Sequence, residues 1–233
     1  MRPSIHYPPV RLVLTELRRS GADPRWLTEL DRRTATAYAR LVRGQTRLIE
    51  ARLGRGVIAN RTGPRGRLRP LRASRSDWRR RLARMTRPSA SAAVVSADVH
   101  QCYPSIVPDA VGLALAECGI GAGDIEELLT LLRRIARAGT PGLPIGPEPS
   151  AVLANAVLAT ADAAATHAGV RLLRWVDDVV LVGPDRSSVV RGFDAWAEAL
   201  GVVGLRVNEG KTRGWGSAEE AIAALGVSHP SGT

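Results

Sequence analysis

Two adjacent carboxylates interrupt an apolar run: Arg174-Trp175-Val176-Asp177-Asp178-Val179-Val180-Leu181-Val182. The β-prone residues on either side read as two strands, and the acidic pair between them reads as the tip of a hairpin. Neighbouring anions at such a tip repel each other, and folding gains nothing from holding them there. A divalent cation would remove that penalty. A second run, Val94-Val95-Ser96-Ala97-Asp98-Val99, ends on another aspartate, 79 residues before Asp177. If the two runs form neighbouring strands, their carboxylates converge. Such a cluster suits two divalent ions about 3.5–4 Å apart, an arrangement that serves phosphoryl transfer. The donors are oxygens, which favour Mg2+ or Mn2+ over Zn2+. Taken singly, each aspartate reads better as an exposed turn residue.

The bulk properties narrow the partner. The 233 residues are enough for one large or two small cores. The net charge is +11, and 32 of the 33 basic residues are arginine, Lys211 being the exception. Such a charge favours a polyanion, most simply nucleic acid. A GC-rich genome produces the same arginine bias without any function. Aromatic residues make up only 4%, which speaks against a stacking platform for single strands. No uncharged run reaches membrane-spanning length, and the N-terminus does not read as a signal peptide. Only Cys102 and Cys118 occur, so a reducing cytoplasm suits the chain better than a disulfide framework.

Along the chain, residues 8–53 read mostly as helix, broken near Ser20-Gly21-Ala22-Asp23-Pro24, with Asp23 as a cap and Pro24 in a first turn. Residues 54–75 mix Gly, Pro and Arg and suit a basic, loop-rich hairpin, with a helix to follow at 76–86. From Val94 the pattern is α+β. A helix opens at Asp124 as N-cap, carries Ile125, Leu128, Leu129, Leu132 and Ile135 on one face, and ends at Gly139. Further helices are expected from Ser150 to His167 and over 187–200, with a short strand at Leu205-Arg206-Val207. This order predicts an antiparallel sheet backed by helices on one face. It also divides the chain into 1–90 (N-terminal helices and basic region), 91–216 (catalytic domain) and 217–233 (short tail).

Taken together and in order, these segments resemble the core of the reverse transcriptase family over roughly residues 55–215. Asp98-Val99-His100-Gln101-Cys102-Tyr103-Pro104-Ser105-Ile106 is similar to the family's first metal-binding motif. Gly142-Leu143-Pro144-Ile145-Gly146-Pro147-Glu148-Pro149-Ser150 resembles its Leu-Pro-Gln-Gly motif, with Ile145 in place of the glutamine. Trp175-Val176-Asp177-Asp178 is similar to the aromatic-x-Asp-Asp signature, and Leu205 to Thr212 resembles the next motif, whose lysine Lys211 matches.

The resemblance implies a palm sheet with a basic, partly helical fingers region, and an RNA-directed DNA polymerase using two Mg2+ or Mn2+ ions. It implies Asp98, the backbone of Val99, and Asp177 as metal ligands, with Asp178 assisting. Tyr103 would lie beneath the incoming sugar and exclude a 2′-hydroxyl; a core aromatic before a Pro turn is the other reading. Gly142, Ile145, Gly146 and Ser150 would shape the nucleotide pocket, and Ile145 cannot hydrogen-bond there. Lys211 would protonate pyrophosphate, a role closed to a guanidinium; an exposed turn lysine is the alternative. Arg67-Leu68-Arg69-Pro70 resembles the fingers hairpin that would grip the triphosphate, and general phosphate attraction accounts equally for Arg61, Arg65, Arg67, Arg69 and Arg72. The implied partners are an RNA template, a DNA or RNA primer and deoxynucleoside triphosphates. The family's helical thumb has no counterpart in 217–233, which matches a compact bacterial type and implies a protein partner or second copy in its place. Template-independent or protein-primed synthesis in phage defence, and a non-catalytic RNA-binding subunit, are the rival expectations.

Overall fold

The structure, a computed structural model, describes residues 9–19, 22–63, 66–85 and 92–226. Its centre is a four-stranded antiparallel sheet of β3 (Ala93–Asp98), β4 (Arg171–Trp175), β5 (Asp178–Gly183) and β6 (Arg213–Trp215) in the order β4-β5-β3-β6. The period of two along β3 and β5 sorts their side chains. Ala93, Ala97, Val179 and Leu181 join the main core on one face, whereas Val94, Val180 and Val182 join a second cluster on the other.

Helices α1 (Arg32–Arg52), α5 (Ala122–Arg137), α6 (Glu148–His167) and α7 (Arg186–Val202) contribute to the main core through Tyr38, Leu132, Leu153 and Trp196. The second cluster is closed by Leu82 of α2 (Leu71–Met85) and by Ala221 and Ile222 of α8 (Ala218–Leu225). The expectation of helices on one face only is therefore corrected: the sheet alternates apolar residues to both faces, and each finds a cover. Two helices went unread, the single turn α3 (Cys102–Ser105) and α4 (Pro108–Glu117), which opens with Pro at its first position.

The largest correction lies at the N-terminus. Residues expected to be helical form a two-stranded antiparallel hairpin, β1 (Leu12–Arg19) and β2 (Ala22–Leu30). Leu, Arg and Glu are good helix formers, and they misled the periodicity. Tertiary pairing decides the matter. Leu27 bridges Ile145, and the Thr28 N–H donates to the Ile145 carbonyl at 2.7 Å. Pro24 accordingly sits in β2 rather than in a helical turn. Asp31 caps α1, accepting from the N–H groups of Arg33 and Thr34. The cap of α5 is Gly121, with Asp124 in its first turn. Leu205-Arg206-Val207 contributes only a bridge between Val207 and Val99, and the strand paired with β3 on the side away from β5 is β6. The second helix begins at residue 71 rather than 76. Among the described residues no helix is long and apolar enough to cross a membrane.

Candidate active site

β3 and β5 are paired so that Asp98 stands directly opposite Asp178. Both belong to the sheet face that α2 and α8 cover farther down, at the end where that cover stops. Asp177 occupies the turn before β5, and its carbonyl accepts from the Val99 N–H at 3.3 Å. The three aspartates thus share one end of the sheet. Asp98 is buried and Asp178 exposed. Desolvation raises Asp178 to about 6, and the charges of Asp177 and Asp98 push in the same direction. Asp177 is raised by burial first and then by Asp98.

Opposing cations already reach this cluster. The Lys211 Nζ lies 3.1 Å from Asp98 Oδ2, and Asn208 Nδ2 donates to Asp98 Oδ1 at 3.0 Å. The Asn208 N–H also donates to the Asp98 carbonyl at 2.7 Å. Both residues come from the segment around a single 3-10 turn, Glu209–Lys211, tied to the end of β3 through the Val99–Val207 bridge. Arg25, exposed on β2, acts electrostatically on Asp177 and Tyr103 from the hairpin side. A hard divalent cation suits the donor chemistry of this end: oxygen-only, crowded with anions, one carboxylate buried. Among the described residues, no three Asp, Glu, His or Cys side chains are already arranged around one such ion.

The turn that carries Asp177 is held from beneath. Val176 has φ +58, an uncommon and costly conformation for a β-branched residue. Its carbonyl accepts from Arg174 Nη1 at 2.7 Å. Arg174 is fully buried; its Nε donates to Asp162 Oδ2 at 2.8 Å and its Nη1 to Asn155 Oδ1 at 2.9 Å. Asn155 in turn donates to the carbonyls of Ala59 and Asn60, each at 3.1 Å. Sequence reasoning passed over Arg174, Asp162 and Asn155. The signal was present: an arginine inside an apolar strand and an aspartate inside an alanine-rich helix each demand a partner.

The remaining predicted residues divide into two groups. Tyr103 and the 142–146 loop are brought together: the Leu143 N–H donates to the Tyr103 carbonyl at 2.9 Å, and a Cβ on Gly142 would lie 2.7 Å from that same oxygen. Burial raises the Tyr103 phenol, which stays neutral. Ile145 gives its backbone to β2, and Gly146, at φ +124, lies under Thr28. Ser150 is fully buried at the start of α6, its hydroxyl 3.1 Å from that of Tyr38, so it serves the core contact between α1 and α6. Arg67 and Arg69 are exposed on a short hairpin closed by the Thr62–Leu68 bridge. Among the described residues no hydrogen bond or ion pair joins either to the aspartates. Arg61 is occupied with Glu50 at 2.7 Å, and Arg65 lies outside the described residues.

No protein-family model matches the sequence, and no curated protein matches it. Solved structures do resemble the fold. Apo telomerase from Candida tropicalis truncated of its C-terminal domain superposes with TM-score 0.55 at 11% identity, covering 88% of this chain and 52% of that one. Apo telomerase from the same organism gives TM-score 0.54 at 12% identity, covering 88% and 46%. Telomerase from Candida albicans, in complex with the TWJ fragment of telomeric RNA, gives 0.57 at 14% identity, covering 89% and 43%. The chain spans about half the length of these neighbours. At such identities the likeness concerns architecture alone.

Proposed function

We propose that this chain is a nucleic-acid polymerase, and specifically an RNA-directed DNA polymerase whose palm is the 91–216 region and whose fingers lie within 1–90. The observation that carries this reading is the meeting of Asp98, Asp177 and Asp178 at one end of a sheet whose fold is telomerase-like. Asp98 and Asp177 would hold a pair of Mg2+ or Mn2+ ions, with Asp178 and the backbone of Val99 assisting. The chemistry such a pair supplies when bound is activation of a 3′-hydroxyl and neutralisation of charge on departing pyrophosphate.

The chain's own residues do the rest. Arg174 fixes the Val176 carbonyl and so holds the Asp177 turn in place. Lys211 neutralises Asp98, and a shift of its ammonium toward the triphosphate would let it protonate pyrophosphate. Tyr103, backed by Gly142 and Leu143, would lie under the sugar and disfavour a 2′-hydroxyl. Arg25, on the opposite rim, would meet phosphate. Template, primer and deoxynucleotides are the partners this reading requires.

The test is primer extension on RNA, on DNA and without template, with Mg2+ and with Mn2+. Wild-type protein extends a primer on RNA, and Asp177→Ala loses roughly 10³-fold or more while melting no lower than wild type. Activity retained in Asp177→Ala removes that residue from the mechanism, and extension without template moves the reading to untemplated synthesis. A second reading, a non-catalytic RNA-binding subunit, is favoured by Lys211 and Asn208 both being engaged with Asp98. RNA binding with no incorporation under any condition would select it.

A further inference from the structure

Helix α1 has two faces of opposite character. Tyr38, Leu41, Val42 and Ile49 are buried against the core. The other face carries Arg32, Arg33, Arg40, Arg43 and Arg47, all exposed. At 100° per residue these five fall within about 100° of the helix circumference, and from Arg32 to Arg47 they run about 22 Å along its axis. Arg40 pairs with Glu127 at 2.9 Å. Among the described residues, the side chains of Arg32, Arg33, Arg43 and Arg47 make no ion pair and no hydrogen bond. The sole acid of the helix, Glu50, is taken by Arg61 at 2.7 Å.

Two further features shape this face. Small residues (Ala35, Ala39 and Gly44) floor an open groove of about 730 Å³ that Thr36, Arg40 and Arg43 flank. The 61–69 hairpin also rests on the row, because a Cβ at Gly66 would lie 3.1 Å from Arg43 Cγ. That contact sets Gly66, the neighbour in the chain of exposed Arg67, against Arg43. A composition bias alone would scatter arginines, and it would not leave one face of a helix free of carboxylates over four turns.

We propose that this face is a phosphate-binding track for a base-paired RNA stem, separate from the carboxylate end of the sheet. Guanidiniums in a line offer charge to successive phosphates and carry no base code. The only aromatic of α1, Tyr38, is buried on the opposite side, so the face offers no ring on which an unpaired base could stack. Paired strands, whose bases are already stacked, lose nothing on such a surface. The geometry asks only for a phosphate backbone; the choice of RNA over DNA rests on the polymerase reading above.

The experiment measures binding of the full chain in EDTA to a 12-base-pair RNA hairpin, a DNA hairpin of the same length, and oligouridine with the same number of phosphates. Wild type prefers the RNA hairpin, with a steep salt dependence. Arg33→Glu/Arg43→Glu/Arg47→Glu weakens that binding by roughly tenfold or more and lowers the salt slope by about three, near one per lost phosphate contact. Arg75→Glu/Arg79→Glu/Arg186→Glu makes the same charge change on α2 and α7 and changes affinity by less than about threefold. The Gln triple at 33, 43 and 47 repeats the loss if the Glu triple melts early. Equal losses in the two Glu triples would overturn the track in favour of a diffuse field. Preference for oligouridine would overturn the paired stem, and equal binding of the DNA hairpin would overturn the assignment to RNA. Hairpin binding in EDTA and primer extension are separate readouts, so a failed polymerase reading shows up in extension and a failed track shows up here.

Discussion

Asp31 and Asp178 have the same side chain and opposite circumstances. Asp31, at the start of α1, accepts hydrogen bonds from the Thr34 hydroxyl at 2.6 Å and from the N–H groups of Thr34, Arg33 and Arg11 at 3.1, 3.0 and 3.2 Å. Those donors, the Thr34 hydroxyl foremost, lower its carboxyl to about 2. Asp178, at the end of the sheet, faces Asp98 and follows Asp177, and its carboxyl rises to about 6. The first aspartate is placed where ionisation helps the fold. The second is placed where ionisation opposes it, a cost that Lys211 offsets in part and a divalent cation would offset further. The contrast separates a carboxylate that builds structure from one held in readiness.

Arginines divide in the same way. Arg174 is sealed among Asp162, Asn155 and the Val176 carbonyl, whereas the row on α1 is exposed. Burial makes the first a positioning group and exposure makes the second a docking surface.

Four variants would break or sharpen these contrasts. Asp162→Ala has the largest expected effect on stability, about 3–5 kcal/mol, because it strands a buried guanidinium. Denaturant unfolding would measure it, and adding Arg174→Met should recover much of the loss without restoring primer extension. A single Asp162→Ala that unfolds like wild type would show that the pair does not hold the turn.

Asp31→Ala should cost about 1 kcal/mol at pH 7 by loss of the cap. The sign follows from the folded value, about 2, lying below the ordinary 3.8. The contribution is full above pH 4, and it disappears as pH falls toward 2. Wild type and variant should therefore converge in thermal melts near pH 2, and a constant difference down to that pH would refute the capping account.

Asp178→Asn should run the other way. The folded value of about 6 lies above the ordinary 3.8, so ionised Asp178 weakens the fold above pH 6 and has no such effect below pH 4. The variant should melt higher than wild type at pH 7 and alongside it at pH 4. A variant less stable at pH 7 would mean that Asp178 is a structural acid like Asp31.

The smallest effect on stability belongs to single α1 arginines. Arg33→Gln should stay within about 0.5 kcal/mol of wild type at any pH, as expected for an exposed residue with no partner. A larger loss would move that arginine into the group typified by Arg174.

Much of the centre of the molecule could be read from the chain. The apolar runs ending on Asp98 and flanking Asp177-Asp178 predict adjacent strands, and β3 and β5 are paired with Asp98 opposite Asp178. The apolar periods over 124–139, 150–167 and 187–200 correspond to α5, α6 and α7. Local signals suffice there, because a buried face imposes its period on the residues that make it. Reading failed where the deciding partner lay far away. Leu12 to Leu30 has helix-friendly composition, yet its two halves pair with each other as a hairpin that docks through Thr28 on Ile145. Asn208 and Arg25 bear on the site by folding alone, Asn208 from 110 residues beyond Asp98.

The sequence by itself determined where the acidic groups stand in the chain and which segments must bury an apolar face, since both follow from residue order and short-range period. Tertiary structure alone decided that Lys211 and Asn208 would close on Asp98, that Arg174 would be sealed beneath the Asp177 turn, and that one side of α1 would be left to solvent. Those outcomes depend on which distant surfaces exclude water together, and a charge acquires its role only when that exclusion is complete.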